Sequence, residues 1–199
     1  VGSEMCIETE LAKQKEKYKS KFELLFEQYR NTGDYDCLVC YSGGKDSTYT
    51  LYILKKEYNA RILALTVDNG FVSERARQNI YSVVESLDVD HYLIKPRFEV
   101  LRKIFNACSS KNLYSPKTLE RASTICTSCM GLVKFISLRL AIEKGIPFIT
   151  YGWSPGQAPI ASSVFKTNSA MMKSMQEAIK VPMASIVGDA IEPYFLEDR

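Results

Sequence analysis

The sequence predicts an α/β fold, a three-layer doubly wound parallel sheet of the Rossmann-like kind. Four short apolar runs, near 37–41, 61–67, 90–94 and 146–151, are each bounded by turn or polar residues. Between them lie segments of helical periodicity at 47–58, 73–87, 97–109 and 130–144. Strand and helix in alternation require parallel strands joined by crossover helices, and such sheets take their ligands beyond the carboxyl ends of the strands.

In chain order, residues 7–30 come first, dense in Glu, Lys and Leu, with apolar or aromatic positions at Leu11, Tyr18, Phe22, Leu25, Phe26 and Tyr29. That spacing predicts an amphipathic helix, so the chain divides into an N-terminal helix over 1–34 and one α/β domain over 35–199. The NTGD turn ends the helix, and CLVCY, at 37–41, is apolar throughout, as expected of a strand buried on both faces. Residues 110–125 and the loop GWSPGQAP read as irregular, and the chain from 167 reads as helix. Met171, Met172, Met175 and Ile179 form a stripe that suits a core face, with a homodimer contact as the alternative.

Composition removes several function classes. With 199 residues and 46% hydrophobic content the chain can bury one sizeable core. A net charge of +3 from 26 basic and 23 acidic residues is too small to mark a nucleic-acid binder. The single histidine, His91, opens the apolar run HYLI and reads as a structural strand-end residue; enzymes that need several histidines are excluded. No run approaches the roughly 18 apolar residues of a membrane span, and VGSEM is no signal peptide, so a cytoplasmic location without membrane contact is expected. Six cysteines are too sparse for a disulfide scaffold and are expected as thiols, metal ligands or redox groups.

The stretch SGGKDS, residues 42–47, stands at the end of the first strand and leads into STYTLYILKKEY. Gly43 and Gly44 can take positive φ and admit a ligand close to backbone amides, while the helix start adds N–H donors and a positive dipole end. The result is an anion cradle, suited to phosphates, in which Lys45 adds a charge, Ser42 and Ser47 add hydroxyls, and Asp46 could hold Mg²⁺. Two glycines alone would read as a turn with Asp46 or Ser47 as helix cap, and the spacing is not that of a Walker A loop.

SGGKDS resembles the pyrophosphate loop of the PP-loop superfamily, the N-type ATP pyrophosphatases or adenine nucleotide alpha hydrolase-like proteins, and LALTVDNG resembles that family's second strand. The resemblance spans about residues 36–152. It implies cleavage of ATP between the α and β phosphates, adenylylation of an acceptor oxygen, and displacement of AMP by sulfur or nitrogen. It further implies that Ser42, Gly43, Gly44, Lys45, Asp46 and Ser47 bind ATP, with Lys45 and Asp46 catalytic and Asp46 the Mg²⁺ ligand. Tyr41, Val67 and Asp68, at the ends of the first two strands, are expected to flank adenine or ribose.

Two C-x-x-C pairs differ in setting. Cys37 and Cys40 lie on a strand, whose alternation points them to opposite faces, so they read as buried thiols. Cys126 and Cys129 lie where a loop passes into a helix, a place that favours thiolate and hence ligand or nucleophile roles. CTSCMGLVKFISLRLA resembles the C-x-x-C segment of the tRNA 2-thiocytidine synthetase group, including a basic residue five after the second cysteine, here Lys134. In that group the pair and a later cysteine hold a [4Fe-4S] cluster. Here no cysteine follows Cys129, so a third ligand would be Cys108, Cys6 or a residue outside this sequence, and Zn²⁺ is the alternative metal. The group's G-H-x-x-D-D is replaced by YGWSPGQ, which keeps Gly152 and adds Trp153, able to stack on a ring. GDYDCLVCYSGGKDST and TVDNG also resemble the bacterial N-acetyl sugar amidotransferases. Sulfur transfer to a small-molecule or RNA acceptor and amide transfer to a sugar both stay open, each with a donor protein for sulfur or ammonia as a conceivable partner. A non-catalytic nucleotide-binding subunit is the reading of a different class.

Overall fold

The computed structural model describes residues 2–120, 122–153 and 160–197, with side chains from residue 11 onward. The long first helix, α1 (Gly2–Tyr29), precedes β1 (Cys37–Cys40), α2 (Lys45–Lys56), β2 (Ile62–Val67), α3 (Glu74–Ser86), β3 (Asp90–Ile94) and α4 (Phe98–Ser110). Then come α5 (Thr124–Lys144), β4 (Phe148–Tyr151), α6 (Ser169–Val187) and a 3₁₀ segment at Gly188–Tyr194. All strand pairs are parallel, in the order β3-β2-β1-β4. This is the doubly wound α/β architecture that the alternation predicts.

Strand alternation sorts the core into two. Cys37, Val39 and Tyr41 point to one face, where they pack with Phe26 of α1, Leu51 and Leu54 of α2, and Ile80 and Val84 of α3. Leu38, Leu63 and Leu65 point to the other and pack with Leu101 and Ile104 of α4, Phe135 and Ile136 of α5, and Met183 of α6. A right-handed crossover puts the helix on one face when the next strand is added to one side and on the opposite face when it is added to the other. The chain moves outward from β1 to β3 with α2 and α3 on one face, then returns to β4, on the far side of β1, with α4 and α5 on the other. The strand order therefore reverses between β1 and β4, and the crevice above their carboxyl ends is where the fold admits a ligand.

The cysteines of β1 diverge as strand geometry requires. Cys37 is enclosed in the face shared with α2, and burial pushes its thiol up to about 12. Cys40 faces Ser137 of α5 and Tyr151 of β4, and burial likewise pushes it up to about 12. Both remain protonated thiols, unsuited to a shared metal. Met175 and Ile179 pack against the core, as a core stripe requires, whereas Met171 is about one-third exposed.

One helix start departs from the sequence expectation. Helix α5 begins at Thr124, six residues before the expected 130, because Ser123 caps it by accepting from the Cys126 N–H at 3.3 Å and Thr124 and Ser128 are buried. By length and composition α5 also qualifies as long and apolar enough to cross a membrane, although no such run was expected. Its apolar residues include Leu132, Phe135, Ile136 and Leu140, all buried in the core. Part of the loop expected at GWSPGQAP, residues 154–159, lies outside the described residues.

Asp36 anchors the entry to β1. Its carboxylate is 1% exposed and accepts from the Arg61 guanidinium at 2.7 Å and from the backbone N–H groups of Asn31 and Arg61 at 2.7 and 2.8 Å. Burial alone would raise its pKa, but these hydrogen bonds outweigh it and bring the group down to about 2 from 3.8. A carboxylate depressed on folding stabilises the protein above its unfolded pKa, and that contribution is lost as pH falls through the folded value. Urea melts between pH 5 and 2 should show a loss that is smaller in Asp36→Asn by about 1–2 kcal/mol, after discounting for the partly exposed Arg61.

Candidate nucleotide and thiol site

Residues 41–48 turn from β1 into α2. Gly43 takes φ +77°, and a Cβ there would lie 2.6 Å from Cγ1 of Ile80 on α3, so only glycine fits. Gly44 does not share this conformation: at φ −78° and ψ 163° it is an ordinary N-cap, correcting the expectation that both glycines would use positive φ. A Cβ on Gly44 would meet only Ser42 Oγ at 3.5 Å and would project into the mouth of the loop.

Hydroxyls brace the loop from inside. Ser47 Oγ donates to the Gly44 carbonyl at 3.0 Å, receives the Ser42 N–H at 3.3 Å and lies 3.1 Å from Ser42 Oγ. Ser47 is buried, so its hydroxyl shapes the cradle, while Ser42 and Lys45 are exposed at the mouth and Asp46 is half-buried. Ser73, Ser123 and Asn168 cap α3, α5 and α6 with side-chain oxygens, but α2 has no such cap. Its first-turn amides and positive dipole end are turned to the crevice, the arrangement that holds an anion.

Gly152 closes the other side. A Cβ on Gly152 would stand 2.6 Å from the carbonyl carbon of Asp46, so the backbone after β4 runs directly against the first turn of α2. Trp153 follows, half-exposed beside the crevice. Below, Tyr151 and Ser137 share a hydrogen bond at 3.0 Å, and burial raises the Tyr151 phenol, keeping it protonated. One turn above Ser137 on α5, the half-buried Lys134 contacts Met175 Sδ at 3.8 Å; burial lowers its pKa. A half-buried ammonium set against a thioether is available to an anion.

The end of β2 forms the second wall. Asp68 is buried, accepts the Gly70 N–H at 2.8 Å and pairs with Arg77 at 3.3 Å and Lys95 at 3.9 Å. Its carboxylate is thereby engaged in holding the turn. Tyr41, expected beside the nucleotide, is 2% exposed; its carbonyl accepts from Thr66 Oγ1 at 2.7 Å and its N–H bonds Leu65, so it supports the loop from beneath. Val67 packs on the core. His91 Nε2 lies 2.8 Å from the same Thr66 hydroxyl, whose proton is committed to Tyr41, so Nε2 carries the donor hydrogen. That is the structural role expected for His91.

Cys126 and Cys129 both fall in the first two turns of α5, spaced i and i+3 and so on neighbouring parts of one face. Cys126 is exposed and Cys129 half-buried. Asn69 Nδ2 donates to Cys129 Sγ at 3.4 Å, joining the thiols to the end of β2. Cys108 is not with them: it is buried, 3.3 Å from Ser128 Oγ, in the interface between α4 and α5. The Cys6 side chain lies outside the described residues. Among the described residues no group of three His, Cys, Asp or Glu is arranged for a metal ion. Sequence reasoning missed Asn69, although the N in TVDNG is the signal, and missed Ser137 and Tyr151, which carry no motif.

The geometry defines an α/β domain with a glycine-lined, uncapped loop at a strand-order switch. The family model for the queuosine biosynthesis protein QueC matches residues 36–130. An uncharacterized protein of Methanocaldococcus jannaschii is 25% identical over 167 residues, covering 83% of this chain and 52% of that protein. Argininosuccinate synthase of Symbiobacterium thermophilum is 25% identical over 129 residues, covering 58% of this chain and 28% of the synthase. The chain thus spans about half or less of the length of these relatives. Among solved structures, NMN synthetase from Francisella tularensis aligns over 94% of this chain and 97% of its own, with TM-score 0.44 and 11% identity. The match over residues 36–130 and the likeness to argininosuccinate synthase are both to members of the PP-loop superfamily, the adenine nucleotide alpha hydrolase-like proteins.

Because Gly152 abuts backbone, Gly152→Ala should displace the first turn of α2 and weaken nucleotide binding at least about tenfold, with the melting temperature falling by only a few degrees. Calorimetric titration beside a thermal melt checks this.

Proposed function

We propose that this chain binds ATP with Mg²⁺ at residues 42–47, releases pyrophosphate by adenylylating an acceptor oxygen, and uses Cys126 and Cys129 in the second half-reaction, in which sulfur handed to the pair as a persulfide by a sulfur donor passes to the activated carbon, AMP leaves, and the pair closes to a disulfide that a thiol reductant reopens. The observation that carries the reading is the uncapped, glycine-lined start of α2 opposite Gly152, at the crevice between β1 and β4. Departing pyrophosphate gains charge, and fixed amides with Lys45 stabilise it without reorganising. Asp46 would hold Mg²⁺, which neutralises phosphate charge when bound. Lys134, half-buried against Met175 Sδ, would meet the α-phosphate or the acceptor's anionic group.

Placement of the thiols supports sulfur rather than nitrogen as nucleophile: they stand at the rim of the same strand ends, tied to the β2 loop. Amide transfer to an N-acetyl sugar is the competing outcome, and ATP binding without pyrophosphate release would indicate a non-catalytic subunit.

With ATP, Mg²⁺ and the acceptor, AMP and pyrophosphate should accumulate; ADP and phosphate as sole products would sink the assignment. Gly44→Val should leave the fold intact, since its side chain points into open space, and reduce ATP affinity at least about 100-fold by filling the phosphate position. Cys126→Ser and Cys129→Ser should each keep pyrophosphate release within about threefold yet abolish sulfur transfer. If both serine variants transfer sulfur normally, the thiols have no part in the reaction.

A further inference from the structure

The two thiols of α5 are held unequally, and the difference traces to one side chain. Asp68 and Asn69 make successive turns with their side-chain oxygens, Asp68 Oδ1 accepting the Gly70 N–H at 2.8 Å and Asn69 Oδ1 accepting the Phe71 N–H at 3.1 Å. The second bond fixes which way the Asn69 amide faces. Its oxygen is engaged by Phe71, so its NH₂ is the end presented to Cys129 Sγ at 3.4 Å. The turn itself is immobilised from both sides, by Arg77 and Lys95 on the Asp68 carboxylate and by Phe98, whose ring leaves no room for a Cβ at Gly70. Phe71 in turn rests edge-on against Phe98 at 6.2 Å between ring centroids. Cys126, one turn nearer the helix end, is exposed.

We propose that Asn69 is the positioning residue of the cysteine pair, holding the Cys129 sulfur at the end of β2 through an N–H···S hydrogen bond and leaving Cys126 as the sulfur that meets an incoming reagent. A sulfur that accepts an amide hydrogen bond is restricted in rotamer, whereas a solvent-facing one is not. The pair therefore divides its work: Cys126 exchanges with the outside, and Cys129 stays aimed at the crevice. This rests on the reading of the pair as functional, and it is tested by a measurement that does not depend on turnover.

Alkylation by iodoacetamide at one fixed pH, followed by mass spectrometry, is read at Cys129 in a Cys126→Ser background and at Cys126 in a Cys129→Ser background. In the pair intact, Cys126 should label first. Asn69→Ala should raise the rate of Cys129 labelling about threefold or more, because the released sulfur is no longer held against the β2 loop, with Cys126 unchanged. Asn69→Leu keeps the volume and removes the donor, so it should raise the rate likewise. If Asn69 acted only by packing, the leucine variant would match the parent. A Cys129 rate unaffected by both substitutions, in variants whose melts match the parent, overturns the proposal without bearing on pyrophosphate release. Normal sulfur transfer by the serine variants would instead remove the pair's function and leave the labelling result standing.

Discussion

The site depends on two stretches of backbone being allowed to touch. Where the strand order reverses, the chain leaving β4 and the chain entering α2 compete for the same space, and Gly152 resolves the competition by having no side chain. A larger residue would separate β4 from the loop and widen the crevice. Gly43 makes a similar accommodation on the opposite flank, against Ile80. Between these contacts the loop has one shape, further fixed by the Ser42 and Ser47 hydroxyls. Preorganisation of this kind matters because amides that already point at a phosphate lose little on binding it.

Helix α5 connects the parts of the site. It runs from the thiols, past Lys134, down to Ser137 beside Cys40 and Tyr151, so one rigid element spans rim and floor. Opposite faces of its first turns have opposite duties: Thr124 and Ser128 bond into the α4 side, through Asn112, Cys108 and Tyr114, and thereby orient Cys126 and Cys129 away from it. The polar residues that obscure the helix in the sequence are thus the ones that set its rotation.

Strands and the glycine loop were legible in the sequence because their signals are local: four apolar runs with turn residues at their ends, and SGGKDS at one of those ends. The start of α5 was not, since Thr124, Thr127 and Ser128 have modest helix propensity and their preference is overridden by tertiary hydrogen bonds. Tyr41 misled for a related reason. Its position at a strand end was right, but strand alternation sends its side chain under the loop, a consequence readable only once Val39 and Cys37 are known to face α2. The separation of Cys108 from the α5 thiols likewise follows from the docking of α4 on α5, which no spacing rule encodes.

The apolarity of α5 has a consequence for synthesis. Its buried face is covered partly by α6, which ends at Val187, more than forty residues after α5 ends at Lys144, and partly by the 3₁₀ segment that follows, with Phe195 stacked on Phe135. A chain emerging from the ribosome therefore exposes a 21-residue apolar helix before its cover exists. At roughly 5–20 residues per second this interval lasts several seconds, long enough for chaperones or a membrane surface to engage the helix first.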